Sequence, residues 1–141
     1  MKFKGKIMSL EVKILLITAN TEIQTTISSR TVSHNCLLDT VFDGMEALDK
    51  VKETEYSLIF VDKNMRSLDA FATAKIIKNL LPKAQLWILF DETSDDEQKE
   101  IMALAHQFEA RCLFKPLLAS QIDIILSEKK DEHTRRDVRA G

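Results

Sequence analysis

The sequence predicts an α/β fold, a doubly wound five-stranded parallel sheet, and three observations carry that expectation. Five apolar runs of strand length recur along the chain, segments of helical period lie between them, and several runs are continuously apolar rather than alternating. A strand that is apolar at every position is covered on both faces, which in one domain means a parallel sheet between two layers of helices. The chain has 141 residues, 45% hydrophobic and 30% charged, which suits one globular domain with its own core. Its formal net charge of −2 supplies no global field for nucleic acid or anionic membrane, so neither is expected as a partner.

The elements follow in order. "VKILLIT" (12–18) is the first strand, and "NTEIQTTISSR" is a helix anchored by Ile23 and Ile27 despite its β-branched and hydroxyl residues. "CLLDTVF" (36–42) is the second strand; in "FDGMEALDKVKE" Asp43 caps a helix, Glu46 follows three residues on, and Ala47, Leu48 and Val51 share a face. "SLIFV" (57–61) leads to "SLDAFATAKIIKNLLP", where Leu68, Phe71, Ile76 and Leu80 have helical spacing and Pro82 ends the helix. After "QLWILF" (85–90), "TSDDEQKEIMALAHQF" pairs Ser94 with Glu97 as a capping box and points Ile101, Leu104 and Phe108 inward. "RCLF" (111–114) is the last strand, and "LLASQIDIILSEKK" is a helix through Leu118, Ile122, Ile125 and Leu126. Five β-α units joined by right-handed crossovers give a flavodoxin-like (βα)5 three-layer sandwich. Residues 1–10 are expected to be a flexible leader, 11–128 the folded domain, and the charged 129–141 a mobile tail or the start of a linker.

Several classes of chemistry are set aside. The apolar run "ILLI" near the start is too short for a signal peptide or a membrane span, so a cytoplasmic location is expected. Cys36 and Cys112 match no metal spacing and sit in apolar strands, as reduced core thiols do. His34, His106 and His133 are scattered. Gly5, Gly44 and Gly141 are the only glycines, and no phosphate loop of a nucleotide- or flavin-binding enzyme can be built from them, so no enzyme is expected.

In an open parallel sheet, function gathers beyond the carboxyl ends of the strands. Those ends carry Thr18, Ala19 and Asn20, then Asp62, then Phe90 and Asp91, then Lys115-Pro116. A carboxylate and an ammonium on one edge can receive and neutralise a phosphoryl group, or simply form an ion pair.

With these residues placed, the segment from about 12 to 127 resembles a response-regulator receiver domain, through "FDGMEAL", "LIFVDKNM", "SLDAF" and "LFKP" in that order. The resemblance implies a two-component or phosphorelay switch in which Asp62 accepts phosphate from a histidine kinase or phosphotransfer protein. It also implies that Lys115 contacts the phosphoryl group and that the peptide before Pro116 is cis. An output domain or partner protein, or a second copy in a homodimer, would bind through the fourth helix, fifth strand and fifth helix.

The departures matter as much as the matches. Receivers carry two adjacent acids after the first strand, which with the phosphoacceptor bind Mg²⁺; "ITANTE" offers Thr18-Ala19 or Ala19-Asn20 instead. Asp62 is then the one family carboxylate left for Mg²⁺, a poor anchor for an octahedral ion, with Asp91 a minority replacement. The hydroxyl residue expected after strand four meets Phe90 or Asp91 by strand alignment, or Thr93 by counting back from Lys115. Cys112 replaces the aromatic residue before the lysine, and Arg66 and Ala70 replace a proline and a glycine. The alternative these changes raise is a degenerate pseudo-receiver, a phosphorylation-independent protein-protein interaction module.

Overall fold

Each apolar run is a strand: β1 (Lys13–Ile17), β2 (Leu37–Val41), β3 (Leu58–Asp62), β4 (Gln85–Phe90) and β5 (Arg111–Phe114). Between and after them lie α1 (Thr21–Ser33), α2 (Gly44–Glu53), α3 (Ala70–Leu80), α4 (Asp95–His106) and α5 (Ala119–Ala140). The computed structural model describes residues 11–65 and 69–140. The expected leader 1–10, Arg66, Leu68 and Gly141 lie outside the described residues. All strand pairs are parallel, in the order β2-β1-β3-β4-β5, so the winding reverses between β1 and β3 and opens a crevice at their carboxyl ends.

Side chains alternate between two cores. Leu15, Ile17, Ile59, Val61, Leu86 and Ile88 face a layer built from α2, α3 and α4, through Ala47, Val51, Ala74, Ile77, Ile101 and Ala105. Ile14, Leu16, Leu58 and Phe60 face Ile23 and Ile27 of α1 and Ile122, Ile125 and Leu126 of α5. Every residue of β3 is buried, as expected of the central strand. The edge strand β2 is different, because only Val41 is buried despite its apolar run. There Tyr56 donates a hydrogen bond to Asp39 Oδ2 at 2.6 Å, pinning the edge to the start of β3.

Helix positions were expected correctly and some of their faces were not. On α3 the buried residues are Ala70, Thr73, Ala74 and Ile77, whereas Ile76 and Leu80 are 39% and 45% exposed. Adjacent apolar pairs, Ile76-Ile77 and Leu80-Leu81, are about 100° apart on a helix, and the sheet selects one member of such a pair. Likewise Ala105 rather than Leu104 faces the core from α4, and Leu118 is exposed just before α5. Asp43 caps α2 by accepting from the Glu46 amide. Ser94 caps α4 through the Glu97 amide, but the Glu97 carboxylate accepts from the Thr93 hydroxyl at 2.7 Å instead of closing the expected box.

Beyond the expected domain end at 128, α5 continues unbroken to Ala140. Lys129 is 4% exposed, and its ammonium lies 3.6 Å from Glu132 one turn on, so burial of its methylene stem and local pairing extend the helix. An α1–α5 clasp holds this layer together: Arg30 binds both Asp123 oxygens at 2.7 and 3.0 Å, and His34 Nε2 lies 3.0 Å from Asp123 Oδ1.

Candidate functional site

The crevice at the β1/β3 reversal is floored by Asp62, the last residue of β3. Register places it opposite Leu89 of β4, and the Lys63 amide continues the ladder by donating to Leu89 O at 2.9 Å. Lys115 follows β5, fixed by the hydrogen bond its backbone amide donates to Phe90 O at 2.7 Å, and the Lys115-Pro116 peptide is cis, as the resemblance implied. Thr18 follows β1 and donates its amide to Val41 O. The parallel sheet thus brings the ends of separate strands within hydrogen-bond reach.

Asp62 is 1% exposed and holds three hydrogen bonds. Its Oδ1 accepts from Lys115 Nζ at 2.8 Å and from the Asn64 amide at 3.1 Å; its Oδ2 accepts from the Thr18 hydroxyl at 2.6 Å. A buried carboxylate needs both a counter-charge and hydrogen bonds, and here it has both. Lys115 Nζ also lies 3.4 Å from Asp91 Oδ1, and Asn64 Nδ2 donates to Asp91 Oδ2 at 2.9 Å. That hydrogen bond first, and the Lys115 charge second, hold the Asp91 carboxyl below its ordinary value. Lys63 reaches over the Phe90 ring, 5.8 Å from its centroid, and is the second cation at this mouth.

Mg²⁺ does not fit this donor set. Thr18 engages its donor on Asp62 and accepts from the Asn20 amide, while Asn20 Oδ1 accepts from the Glu22 and Ile23 amides as the N-cap of α1. Ala19 offers no side-chain oxygen, and the Lys115 ammonium pairs with both carboxylates, 2.8 Å from Asp62 Oδ1 and 3.4 Å from Asp91 Oδ1. Among the described residues no three His, Cys, Asp or Glu side chains gather to hold a metal. One carboxylate already neutralised by an ammonium is a weak anchor for an ion that demands hard, octahedral oxygen.

Of the residues singled out in the sequence, Asp62, Lys115, Thr18 and Asp91 come together, whereas Asn20 is engaged in capping and Thr93 turns away to Glu97. Phe90 is fully buried, so Asp91 occupies the mouth where a hydroxyl was sought. Cys112 is half buried, and burial pushes its thiol up to about 11, fitting a core role. Asn64 and Lys63 were missed. Asn64 stands two residues after Asp62, where an Asp side chain commonly accepts a backbone amide, and that signal could have found it.

A parallel sheet in this order, with an acid after the third strand and a lysine after the fifth, agrees with the resemblance to a response-regulator receiver domain carried by the sequence motifs. The solved structures it resembles bear this out at the level of fold. The receiver domain protein (CheY-like) from Methanospirillum hungatei JF-1 matches with a TM-score of 0.76 and 15% identity, over 89% of this chain and 98% of that one. The chemotaxis response regulator CheY4 of Vibrio cholerae matches with a TM-score of 0.73 and 21% identity, over 84% of this chain and 98% of that one.

In sequence, the chain is 34% identical to protein PilG of Pseudomonas aeruginosa over 67 residues, 48% of this chain and 50% of PilG. It is 28% identical to sensor protein EvgS of Escherichia coli (strain K12) over 91 residues, 64% of this chain and 7% of EvgS. The chain therefore spans half or less of the curated relatives it matches. No protein-family model matches it. The two solved structures are those of a receiver domain protein and a chemotaxis response regulator, and at 15% and 21% identity the likeness is one of fold. Among the described residues no helix is long and apolar enough to cross a membrane.

Proposed function

We propose that the chain is the receiver domain of a two-component or phosphorelay system, switched in the cytoplasm by phosphorylation of Asp62. The observation that supports this most directly is the contact of Lys115 Nζ with Asp62 Oδ1, 2.8 Å, at the carboxyl edge of the sheet. With Oδ1 engaged by two donors and Oδ2 by Thr18 alone among the described residues, Oδ2 is the oxygen with a lone pair to offer. In the transfer the N–P bond of a phosphohistidine breaks as the Asp62 Oδ2–P bond forms. The electron pair stays on the imidazole nitrogen, which takes a proton from water. Lys115 then neutralises charge on the phosphoryl oxygens, and Lys63 stands at the same mouth.

The partners on this reading are a histidine kinase or phosphotransfer protein as donor, and an output domain or second copy on the α4-β5-α5 face. Leu104, Leu118 and Ile124, 42%, 55% and 58% exposed, are apolar residues on those elements and the loop between them. Incubation with acetyl phosphate followed by intact mass tests the reading: one phosphoryl group is expected on the native chain and none on Asp62→Asn. Addition that Asp62→Asn leaves unchanged would overturn it. The phosphorylation-independent alternative is the less favoured, and it requires that no phosphoryl group be taken up at Asp62.

A further inference from the structure

We infer that Thr18 takes the place of a metal ligand at Asp62, so that the pocket is closed to divalent cations and is completed by a hydroxyl and an ammonium instead. The inference rests on Asp62 being the phosphoacceptor position, but its test does not depend on phosphorylation. Two observations carry it. The first is hydrogen-bond accounting: the Thr18 hydroxyl, fully buried, gives its single donor to Asp62 Oδ2 at 2.6 Å and accepts from the Asn20 amide at 3.0 Å. Its carbonyl accepts from Gln24 Nε2 at 3.1 Å, so this turn presents oxygens already engaged to anything that would bind beside Asp62.

The second is charge. The charged groups at the mouth are two anions, Asp62 and Asp91, both paired with Lys115, and a second cation, Lys63, which lies over the Phe90 ring and acts on Asp91 through its charge. They balance. A divalent ion entering here would add two uncompensated charges beside a 16% exposed lysine, and a lysine that close repels it. Two further acids would restore neutrality around a cation, and the turn after β1 supplies none.

The expected behaviour follows residue by residue. The full native chain shows no heat of binding and no change in melting temperature with millimolar Mg²⁺. Thr18→Ser, which keeps the donor, behaves the same way. Thr18→Asp sets a second carboxylate against one that is 1% exposed, so like-charge repulsion destabilises the metal-free protein. Mg²⁺ about a hundredfold above its dissociation constant should then raise the melting temperature of Thr18→Asp by roughly 5–10 °C. Calorimetric titration and thermal melts, each with Mg²⁺ and with chelator, read all three proteins.

Mg²⁺ binding by the native chain that Asp62→Asn abolishes would overturn the inference, as would a folded Thr18→Asp that ignores Mg²⁺. If Thr18→Asp folds in neither condition, the native and Thr18→Ser titrations decide alone. Absence of phosphorylation at Asp62 would sink the proposed function and leave these metal titrations untouched, so the two failures are distinguishable.

Discussion

Replacing Lys115 by Met tests the energetics of the pocket directly. The substitution keeps the unbranched stem and removes the ammonium, leaving Asp62 in place at 1% exposure with only the Thr18 hydroxyl and the Asn64 amide. Breaking one side of a buried ion pair costs about 3–5 kcal/mol, because the remaining charge is left uncompensated. Lys115 is itself 16% exposed, so the low end, about 3 kcal/mol, is the expected loss. At a urea dependence of about 2 kcal/mol per molar, the unfolding midpoint falls by roughly 1.5 M.

Asp62→Asn should cost less, about 1–2 kcal/mol, because Lys115 keeps Asp91 at 3.4 Å and some solvent. The double variant should then be more stable than the sum of the single losses by at least about 1.5 kcal/mol, since it leaves no orphaned charge. Urea unfolding of the four proteins at neutral pH, followed by circular dichroism, measures the cycle. A Lys115→Met loss below about 0.5 kcal/mol, or strict additivity, would refute the pairing that the structure displays.

Two further predictions concern the frame. Glu109 ends the α4 turn at φ 61°, a left-handed conformation that costs a residue with a Cβ, and its 3.7 Å pair with Lys78 is carried by a 79% exposed side chain. Glu109→Gly is therefore expected to raise stability by about 0.5–1 kcal/mol, seen as a higher melting temperature; a fall would contradict the backbone assignment. The Asp123 carboxyl is held below its ordinary value by the Arg30 hydrogen bond first and by His34 as well. Its contribution is present above the unfolded carboxylate value near 4 and is lost as pH falls through the lower folded value. Asp123→Asn should thus flatten the fall of stability between roughly pH 4 and 2, measured by urea midpoints across that range. An unchanged profile would mean that the α1–α5 clasp adds nothing in solution.

What could be read from the chain differed from one feature to another for physical reasons. "SLIFV" and "VKILLIT" announced central strands because burial on both faces leaves an unbroken apolar run, and that also fixed where Asp62 would stand. "CLLDTVF" looked similar but is an edge strand, since sequence does not say how many neighbours a strand has. Ile76 against Ile77 could not be resolved without knowing which way the sheet faces α3. At the site, Asp62 and Lys115 were legible as strand ends, as was the absence of acids around Thr18, Ala19 and Asn20. The hydroxyl clamp was not, because the 2.6 Å bond joins residues 44 apart and exists only through the β1/β3 pairing. The α5 extension was hidden by a charged composition that reads as solvated until Lys129 is seen packed inward.

The central claim is that Asp62 receives a phosphoryl group, and transfer from a protein phosphohistidine tests it most directly. A phosphorylated histidine kinase or phosphotransfer domain is mixed with the native chain and with Asp62→Asn, and the peptide containing Asp62 is sequenced by mass spectrometry. One phosphoryl group on Asp62 of the native chain, absent from Asp62→Asn and undiminished by chelator, is the predicted result. A native chain that stays unmodified while the donor phosphorylates a receiver domain in the same mixture would contradict it.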